Sequence, residues 1–492
     1  MMLPRMILRT DGNAKIGLGH VFRCISIASL LKNDFSCIFF IQKPSEFIEE
    51  LINKYYGFEL VSLENSGNLS AEEITSFINE HDLVILDGYH FDHSYQKKIK
   101  EITNSKVISI DDIYDTHFVS DAVINHIGGI DPVRYKKNDE TQLFLGPHYT
   151  ILREEFYHFN GNRTPGEKLK NLFINMGGAD GNNVTLQILS DIEKEKIDIE
   201  EIIVVVGSAY KYYEELKEYA SQFGNIKIFN SLSVSQMIDC MSKAGIAICS
   251  ASTVAYEYCS IGGLLFVIQT AGNQHDMVRY LVESGLALPY TDFFNIINSG
   301  KEITIANEMK RKQKTIFDGK AGDRLTSVVK NVYLKNNLQV RKAQEIDLDI
   351  YYYWANDDEA RKNSFNTMAI PYEDHCKWFH TRLKDGNSCL YIFTTKNEIP
   401  IANVRFLINK EEAVLSYLID KHFRGIGLGK MILQLAKEQF FNEYRTVKSI
   451  KGFVKGNNTS SVRSFLSSGF QETEFDNSHY GTDAKCFMIN NN

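Results

Sequence analysis

A glycine loop followed by a histidine and an arginine is the stretch of this sequence best suited to chemistry. Gly17 and Gly19 precede His20 and Arg23, between a short apolar run and a segment with apolar residues at helical spacing. This order predicts a strand, a glycine loop and a helix that begins near His20. The first amides of a helix lack intrahelical partners and lie at the positive end of its dipole, so they suit an anion such as a diphosphate. Because histidine ordinarily titrates near neutrality, His20 could accept a proton from water beside that anion, with Arg23 sharing the charge.

Two other interpretations of this loop stay open at the level of sequence. Phe22 stands where the dinucleotide-binding fingerprint has its third glycine, which disfavours a nicotinamide or flavin site. An ordinary turn between a strand and a helix, with a solvated histidine, is the second alternative.

A second cluster follows a later apolar run. Ser252 and Thr253 stand where a helix is predicted to begin, and Glu257 follows one turn later. Hydroxyls and free amides at that position could hold a diphosphate, and the carboxylate could accept hydrogen bonds from a ribose diol. The same spacing is typical of an ordinary capping box, so the cluster alone does not distinguish a binding site from a capped helix. Asn273 and Gln274, at the end of the next strand, favour a site.

Both clusters belong to series of strand patterns that alternate with helical patterns, which predicts an α/β fold with parallel sheets. Polar residues recur where these strands end, among them Asp11, Asp87 and Asn125. Ligands of parallel sheets bind beyond those ends. The turn-rich stretch 160–166 separates the two series. We therefore expect two Rossmann-like domains, 1–160 and 166–335, with a cleft between their strand ends.

Composition excludes several classes of protein. The chain has 492 residues, 43% hydrophobic and 24% charged, which is ordinary for a globular protein of about three domains. The net charge of −8 argues against nucleic acid as a partner. No apolar run reaches membrane-spanning length and no signal peptide is visible, so we expect no membrane partner and a cytoplasmic location. Eight scattered cysteines predict reduced thiols, and no spacing indicates a metal site.

Taken as an ordered set, the motifs of roughly residues 5–325 resemble the UDP-sugar hydrolases of pseudaminic acid biosynthesis, which are related to two-domain GT-B glycosyltransferases. The matching motifs are Arg9-Thr10-Asp11 with Gly17-x-Gly19-His20-x-x-Arg23, Asp87-Gly88-Tyr89, Leu145-Gly146-Pro147-His148-Tyr149 with Leu152-Arg153-x-x-Phe156, Gly177-Gly178-x-Asp180, Thr253-x-x-x-Glu257 and Asn273-Gln274. One departure is Ala251-Ser252, where many members of that family have glycines.

The resemblance implies hydrolysis of UDP-2,4-diacetamido-2,4,6-trideoxy-β-L-altropyranose at its anomeric carbon, with His20 as the base and without a metal. Arg23 or Lys15 would help the helix-start dipoles to stabilise the leaving diphosphate. The residues expected to bind the UDP-sugar are Asp11, Gly17, Gly19, Arg23, Tyr89, Arg153, Gly178, Ser252, Thr253, Glu257, Asn273 and Gln274. The leading alternative is a GT-B glycosyltransferase, which would pass the sugar to an acceptor other than water.

A third domain is expected over 340–492. A strand is followed there by Arg424-Gly425-Ile426-Gly427-Leu428-Gly429-Lys430 and a helix. This loop resembles the R-x-x-G-x-G/A loop of GNAT acetyltransferases, which holds the diphosphate of acetyl-CoA on backbone amides. Asn457-x-x-Ser460 and the ending Phe465-Leu466-Ser467-Ser468-Gly469-Phe470 also look like that fold. The residues expected to bind acetyl-CoA are Arg424, Gly425, Gly427, Gly429, Lys430 and Asn457.

The segment before that loop resembles the substrate side of acetyltransferases that act on 4-amino sugars. The residues that carry this resemblance are Trp354, Asn356, Arg361, His375 and Trp378, with His375 as a candidate base for the attacking amine. Two positions depart from the pattern. Ala355 replaces a common arginine, and Phe465 replaces the tyrosine that protonates the leaving thiolate.

The sequence as a whole predicts a bifunctional enzyme of nonulosonic acid synthesis. One part would hydrolyse a UDP-amino sugar, and the other would use acetyl-CoA to acetylate its 4-amino precursor. An acetyltransferase domain without catalytic activity, kept for binding or scaffolding, is the remaining alternative.

Overall fold

The computed structural model describes residues 3–13, 17–159, 169–335, 337–396, 398–475 and 483–491. The chain divides into two units, Leu3–Thr326 and Ser327–Asn492. Lys15 and the stretch 160–166, which the sequence predicts as a linker, lie outside the described residues.

The N-terminal part of the first unit is built on a seven-stranded parallel sheet. The strands of this part are β1 (Arg5–Thr10), β2 (Ser36–Gln42), β3 (Glu59–Leu63), β4 (Leu83–Asp87), β5 (Lys106–Ile110), β6 (His117–Phe118), β7 (Ala122–Asn125), β8 (Lys136–Lys137) and β9 (Gln142–Leu145). The sheet order is β3-β2-β1-β4-β5-β7-β9, and β6 pairs separately with β8. The helices are α1 (Gly19–Leu31), α2 (Glu46–Glu49), α3 (Gly67–Thr75), α4 (His93–Thr103) and α5 (Glu154–Tyr157).

A second parallel sheet, of six strands, follows in the same unit. Its strands are β10 (Asn171–Asn175), β11 (Glu201–Val206), β12 (Ile226–Asn230), β13 (Ile246–Ser250), β14 (Leu264–Ile268) and β15 (Leu288–Pro289), in the order β12-β11-β10-β13-β14-β15. The helices are α6 (Val184–Lys194), α7 (Tyr213–Ala220), α8 (Val234–Lys243), α9 (Thr253–Ile261), α10 (His275–Glu283), α11 (Phe293–Ile297) and α12 (Glu302–Ile316). Helix α13 (Ala321–Leu334) contains the boundary between the two units. Strands such as β4 and β13 are buried along their whole length, which explains their continuous apolar sequences.

The strand orders determine where ligands can bind. In the first sheet β1 lies between β2 and β4, and in the second β10 lies between β11 and β13. Successive connections therefore leave β1 and β10 in opposite directions, which opens a crevice beyond their carboxyl ends. The loop before α1 and the end of β4 meet at one such crevice, and the loops after β10 and β13 meet at the other.

The second unit contains a mixed seven-stranded sheet. Its strands are β16 (Leu338–Lys342), β17 (Ser388–Thr395), β18 (Pro400–Asn409), β19 (Glu412–Ile419), β20 (Ser449–Lys455), β21 (Gln471–Thr473) and β22 (Ala484–Asn490), in the order β16-β17-β18-β19-β20-β22-β21. Only the pair β19 and β20 is parallel. The helices are α14 (Leu348–Ala355), α15 (Asp358–Asn363), α16 (Tyr372–Lys384), α17 (Leu428–Glu443) and α18 (Thr459–Ser467).

The predicted α/β fold class, with two parallel sheets ahead of a different α/β domain, is confirmed. All eight cysteines are free thiols, and seven of them are buried. In the part of the chain that the structure describes, no helix is both long and apolar enough to cross a membrane.

One close approach of backbones gives a test of the second parallel sheet. A Cβ atom placed on Gly207, which follows β11, would lie 2.4 Å from the carbonyl oxygen of Gly178, which follows β10. We expect Gly207→Ala to lower the free energy of unfolding by about 1–3 kcal/mol, because a backbone must move to admit the methyl group. Gly224→Ala, which meets no atom within 4 Å, is the control. Equal thermal unfolding of the two variants, followed by circular dichroism, would contradict this packing.

Candidate functional site

His20 forms a hydrogen-bonded pair with Asp87. The two lie 67 positions apart in the chain, but β1 and β4 are neighbours in register, which brings the end of β4 beside the start of α1. Nδ1 of His20 is 2.7 Å from Oδ1 of Asp87, and Asp87 is completely buried. Nδ1 is also 2.7 Å from Nη2 of Arg23, but that nitrogen already donates to Oδ1 of Asp87 at 2.6 Å, and a proton on Nδ1 can bond to the same carboxylate. We therefore assign the Nδ1–H tautomer, which leaves Nε2 of His20 able to accept a proton.

Arg23 holds this pair from the other side. Its Nε and Nη2 donate to the two oxygens of Asp87 at 2.9 and 2.6 Å, and its Nη1 donates to Asp112 at 3.0 Å. Burial alone would raise the pKa of Asp87, but the charge of Arg23 and the bonds from His20 and Arg23 outweigh burial and lower it. Asp87 therefore stays ionised, and Arg23 is engaged with carboxylates on two sides.

A chain of hydrogen bonds continues from Arg23 to the second parallel sheet. Tyr89 donates to Asp112 at 3.3 Å, and Asn273 donates from Nδ2 to the Tyr89 hydroxyl at 2.8 Å. The ring of Tyr89 also packs edge-on against His20, with centroids 4.7 Å apart. Burial and the nearby Asp112 carboxylate raise the pKa of Tyr89, so it remains a neutral donor. Of the residues expected at the site, Tyr89 thus lies beside His20, and Asn273 is bonded to Tyr89.

A cavity of about 400 Å³ adjoins these hydrogen-bonded residues. It is lined by Asp112, Ile113, Tyr114, Arg134, Gly272, Asn273, His275, Asp276 and Arg279. Arg279 and Arg134 reach Asp276 at 2.9 and 3.5 Å. Carboxylates, guanidinium groups and amides together suit a polar ligand with both donors and acceptors, such as a sugar.

The glycine loop before α1 has the conformation that an anion site needs. Gly17 has a φ of +79°, and a Cβ atom on Gly12 would lie 2.6 Å from a methyl group of Val21. Helix α1 begins at Gly19 without a side-chain cap on Leu18. Among the described residues, no side chain at the cap position bonds to its first amides, which suits an anionic ligand there.

Several other expected site residues contact one another. Arg153 and Glu257 form a two-pronged ion pair, with both N–O distances 2.8 Å. Asp11 accepts hydrogen bonds from Arg9 at 2.5 Å and from the Gln42 amide at 2.7 Å, and it lies 2.8 Å from His90. These contacts fix the loop ends, and the carboxylate oxygens keep further lone pairs for a ligand.

The remaining expected residues of the second sheet lie at its carboxyl edge. Ser252 precedes α9 without capping it, and its hydroxyl bonds to Ser250 at 2.9 Å. Helix α9 begins at Thr253. A Cβ atom on Gly178 would meet nothing within 4 Å. Gln274 uses its side-chain oxygen to accept from the amide of Thr270 at 2.7 Å, which closes the turn before α10.

Sequence reasoning did not single out His126, which follows β7. The ring is buried and packs edge-on against Tyr256, and Nδ1 has no partner among the described residues. Burial and then the charge of Arg23 lower the pKa of His126 to about 4. The sequence also did not identify Asp87 as the partner of His20 or Asp112 as a partner of Arg23. The one indication in the sequence was that both residues follow predicted strands.

The loop before α17 is the second candidate site. Gly425 and Gly427 have φ of +77° and +80°, and a Cβ atom on either would meet nothing within 4 Å. Helix α17 begins at Leu428 without a side-chain cap. This loop has room and free amides for a diphosphate. Gly429 packs closely on α18, since a Cβ atom there would lie 2.4 Å from the Ser464 hydroxyl.

Arg424, expected to bind acetyl-CoA, is bound to carboxylates. Its Nη1 lies 2.6 Å from Asp357 and 3.1 Å from Glu359, and its Nε donates to the Ile419 carbonyl at 2.8 Å. Lys430 and Asn457 are exposed. The side chain that caps α18 is Asn458, which accepts from the Ser461 amide at 3.1 Å.

The expected amino-sugar residues hold the segment around α14 and α15 in place. Trp354 donates from Nε1 to Asp420 at 2.8 Å, and Asn356 makes two hydrogen bonds to the backbone of Ile370. His375 is buried with Nε2 3.1 Å from the Leu348 carbonyl, so Nε2 carries the proton. Burial lowers the pKa of His375. Only its Nδ1 could act as a base in this arrangement.

Phe465, at the position of the missing tyrosine, is a core residue. It stacks on Phe487 with centroids 5.4 Å apart, and a Cβ atom on Gly452 would lie 2.4 Å from its ring. The ring of Tyr417 lies 5.9 Å from it, and the Tyr417 hydroxyl donates to Ser461 at 3.2 Å. A phenol is therefore present beside Phe465, on β19.

The C-terminal unit matches a known protein family. Residues 337–471 match the family model described as an acetyltransferase (GNAT) domain. A solved structure of spermidine N-acetyltransferase from Vibrio cholerae, in complex with CoA and spermine, is 18% identical, with a TM-score of 0.29, over 31% of this chain and 95% of that one.

Three proteins are similar to this chain over a larger part of its length. The UDP-2,4-diacetamido-2,4,6-trideoxy-beta-L-altropyranose hydrolase of Campylobacter jejuni is 27% identical over 58% of this chain and 99% of its own length. Spore coat polysaccharide biosynthesis protein SpsG of Bacillus subtilis is 23% identical over 66% and 97%. Protein MJ1062 of Methanocaldococcus jannaschii is 23% identical over 96% of this chain and 97% of its own. The predicted combination of a nucleotide-sugar hydrolase homologue with a GNAT domain is confirmed.

The buried His126 gives a pH-dependent test of the first site. Its folded pKa of about 4 lies below the ordinary histidine value, so between pH 6.5 and 4 the unfolded chain binds more protons. This histidine's contribution to stability is therefore present above pH 6.5 and is lost as the pH falls towards 4, by up to about 3 kcal/mol. Chemical unfolding at several pH values should show a shallower acid loss in His126→Gln than in the exposed control His158→Gln. Identical pH profiles would contradict the buried neutral ring.

Proposed function

We propose that this chain joins a UDP-sugar hydrolase to an acetyl-CoA-dependent N-acetyltransferase, and that both act on an amino sugar on the way to a nonulosonic acid. The observation that carries the hydrolase is the His20–Asp87 pair at the start of α1, with Nδ1 and Oδ1 2.7 Å apart. The proposed substrate is UDP-2,4-diacetamido-2,4,6-trideoxy-β-L-altropyranose, the substrate in the name of the Campylobacter jejuni relative.

In the proposed hydrolysis, Nε2 of His20 accepts a proton from a water molecule while that water attacks the anomeric carbon. The bond between this carbon and the diphosphate oxygen breaks, and UDP leaves with the electron pair. Asp87 stabilises the imidazolium that forms, as a buried carboxylate does for a catalytic histidine. The uncapped amides of α1 and α9 stabilise the charge on the diphosphate.

The other residues bind or position in this scheme. Arg23 holds Asp87 and His20 in place, since its guanidinium is already bound to two carboxylates. Tyr89 and Asn273 present hydroxyl and amide groups beside the cavity for the sugar. Glu257 accepts hydrogen bonds from the ribose while Arg153 fixes its orientation.

In the proposed acetyl transfer, the loop Arg424–Gly429 holds the diphosphate of acetyl-CoA on its amides. A neutral amine attacks the thioester carbon, the sulfur leaves with the electron pair of the broken bond, and the nitrogen loses its extra proton to water. Phe465 has no proton to give, so we assign the protonation of the thiolate to the phenol of Tyr417, on the strand before the loop.

The hydrolase proposal predicts a strong effect at His20 and Asp87. His20→Asn should lower kcat for UDP release by about 10²- to 10⁴-fold, because positioned proton transfer is lost while the binding groups remain. Asp87→Asn should lower kcat by a similar factor, since an amide can hold the wrong tautomer of His20. Asp121→Asn, which changes a carboxylate paired with Lys106 away from the site, is the control. Turnover near that of the wild type in His20→Asn, with intact UDP binding, would contradict the assignment.

The acetyltransferase proposal predicts that a change in the loop before α17 impairs acetyl transfer without affecting hydrolysis. Gly427→Asp places a side chain and a negative charge in the diphosphate loop at a φ of +80°, so affinity for coenzyme A should fall at least about 10-fold. Gly386→Asp, at an open surface position, is the matched control. Hydrolysis of the diacetylated UDP-sugar should be unchanged in both variants.

The order of the two steps has its own test. The mono-acetylated 4-amino UDP-sugar should give the diacetylated sugar only when acetyl-CoA is present, as mass spectrometry and NMR would show. Equal release of UDP with and without acetyl-CoA, and no diacetylated product, would contradict the bifunctional proposal.

A further inference from the structure

Two arginines that the sequence did not single out line the cavity of about 400 Å³ in the first unit. Arg134 lies between β7 and β8, and Arg279 lies on α10. They share the wall of this cavity with Asn273 and Asp276. Each of the two arginine side chains is 40% exposed, so a ligand in the cavity can reach both guanidinium groups.

Positive charge exceeds negative charge around Asp276. Nη2 of Arg279 lies 2.9 Å from this carboxylate and Nη1 of Arg134 lies 3.5 Å from it, so one carboxylate faces two guanidinium groups. Arg134 also lies over the ring of Tyr114, 3.9 Å from the centroid, and its side chain makes no hydrogen bond to any described residue. Its N–H groups can therefore donate to a ligand.

The balance of charge is reversed around Asp112, the other carboxylate of the cavity wall. Arg23 donates to Asp112 at 3.0 Å and to Asp87 at 2.6 Å, so one guanidinium serves two carboxylates beside His20. A positive group on a ligand is therefore tolerated near His20 and disfavoured near Asp276.

The turn that carries Tyr114 has an unfavourable backbone conformation. Tyr114 has a φ of +44°, in the left-handed region that bulky residues rarely adopt. The carboxylate of Asp111 imposes this turn, because it accepts hydrogen bonds from the amides of Ile113 and Tyr114 at 3.3 and 2.9 Å. The turn places the hydroxyl of Tyr114 to donate to Asp276. Strain of this kind is concentrated at functional sites, which favours a role for this wall in ligand binding.

An acetamido group matches this wall of the cavity. Asn273 donates from Nδ2 to the Tyr89 hydroxyl at 2.8 Å, which leaves its side-chain oxygen to accept from an amide N–H. Arg134 or Arg279 can donate to the amide carbonyl. A primary amine is mostly protonated at neutral pH, offers donors alone and is repelled by both guanidinium groups.

The relation of this wall to His20 fits the C4 substituent of a pyranose. The ring of Tyr89 packs on His20 with centroids 4.7 Å apart, and Asn273 bonds to the hydroxyl of that ring. C4 lies across a six-membered ring from C1. A sugar whose C1 faces His20 therefore directs its C4 substituent to residues beyond Tyr89.

We propose that Arg134 and Arg279 make the hydrolase selective for a UDP-sugar whose C4 nitrogen is acetylated. They bind the carbonyl of the C4 acetamido group and repel the ammonium of the unacetylated precursor. This inference rests on the proposed function and adds two specificity-determining residues to it. Its consequence is that hydrolysis follows acetyl transfer, because the precursor is excluded from the hydrolase site.

Hydrogen–deuterium exchange of the full chain measures binding at this cavity alone. The His20→Asn variant, which should hold the sugar without releasing UDP, serves as the parent. It is titrated with the diacetylated UDP-sugar and with its 4-amino precursor, without acetyl-CoA. Protection of residues 272–283, followed by mass spectrometry, gives a Kd for each sugar at the cavity. Peptides of the C-terminal unit report separately on binding there.

The expected result is that the parent binds the diacetylated sugar at least about 100-fold more tightly than the precursor. Arg134→Met and Arg279→Met, each added to the parent, should lower this ratio by about 10-fold, because a donor to the carbonyl and a repelling charge are lost. Arg279→Lys, which keeps the charge, should retain most of the ratio.

Arg311→Met is the matched control, since it removes an exposed arginine of α12 that does not line the cavity. Its ratio should stay within about twofold of the parent. Equal affinities of the parent for the two sugars, ratios in both cavity variants as high as in the control, or no protection of residues 272–283 by either sugar would overturn the inference.

Release of UDP by the chain with His20 intact separates this inference from the proposed function. If the diacetylated sugar is bound selectively through the two arginines but releases no UDP, the proposed hydrolysis fails and the selectivity stands. If it releases UDP and the ratio of affinities does not depend on Arg134 or Arg279, the selectivity fails and the hydrolysis stands. If both stand, Arg279→Met should raise kcat/KM for the precursor, relative to the diacetylated sugar, by about 10-fold.

Discussion

The buried ion pair between Arg23 and Asp87 is the interaction on which the first site depends. A carboxylate with no solvent exposure is costly, and here two guanidinium nitrogens and the imidazole of His20 satisfy it. Loss of Arg23 would leave the Asp87 carboxylate in the interior without its opposite charge. The same contacts orient His20, and through Asp112 and Tyr89 they extend to Asn273 on the second sheet. The same contacts therefore stabilise this part of the fold and fix the orientation of His20.

Both candidate sites use helices whose first turns are left without side-chain caps. Helices α1, α9 and α17 follow Leu18, Ser252 and Gly427, none of which caps its helix by a side chain. Helices α4 and α8, away from the sites, are capped by the side chains of Asp92 and Ser233. Free amides at a helix start cost stability and form an anion site. Other helices, such as α7, α12 and α16, also lack a side-chain cap, so it is the glycines at positive φ before α1 and α17 that distinguish these two loops.

Many polar residues expected to contact a ligand first contact each other. Glu257 is paired with Arg153, Arg424 with Asp357 and Glu359, and Gln274 closes a turn. Such pairing is compatible with binding, because a carboxylate oxygen has more than one lone pair and a partly exposed arginine can exchange partners. His375 differs, since its buried ring and its bond to a backbone carbonyl give it a packing role between α14 and α16.

The sequence by itself determined the features that depend on local spacing. Apolar runs, glycines and helical periodicity were enough to predict the alternation of strands and helices and the loops before α1 and α17, and they made His20 a candidate base. Only the tertiary structure decided which residues became partners. Asp87 meets His20 across 67 positions, Glu257 meets Arg153 across 104, and Asn273 meets Tyr89 across 184. These pairings depend on strand order and on the direction of each side chain. Both are set by the packing of distant segments, so local spacing carries no record of them.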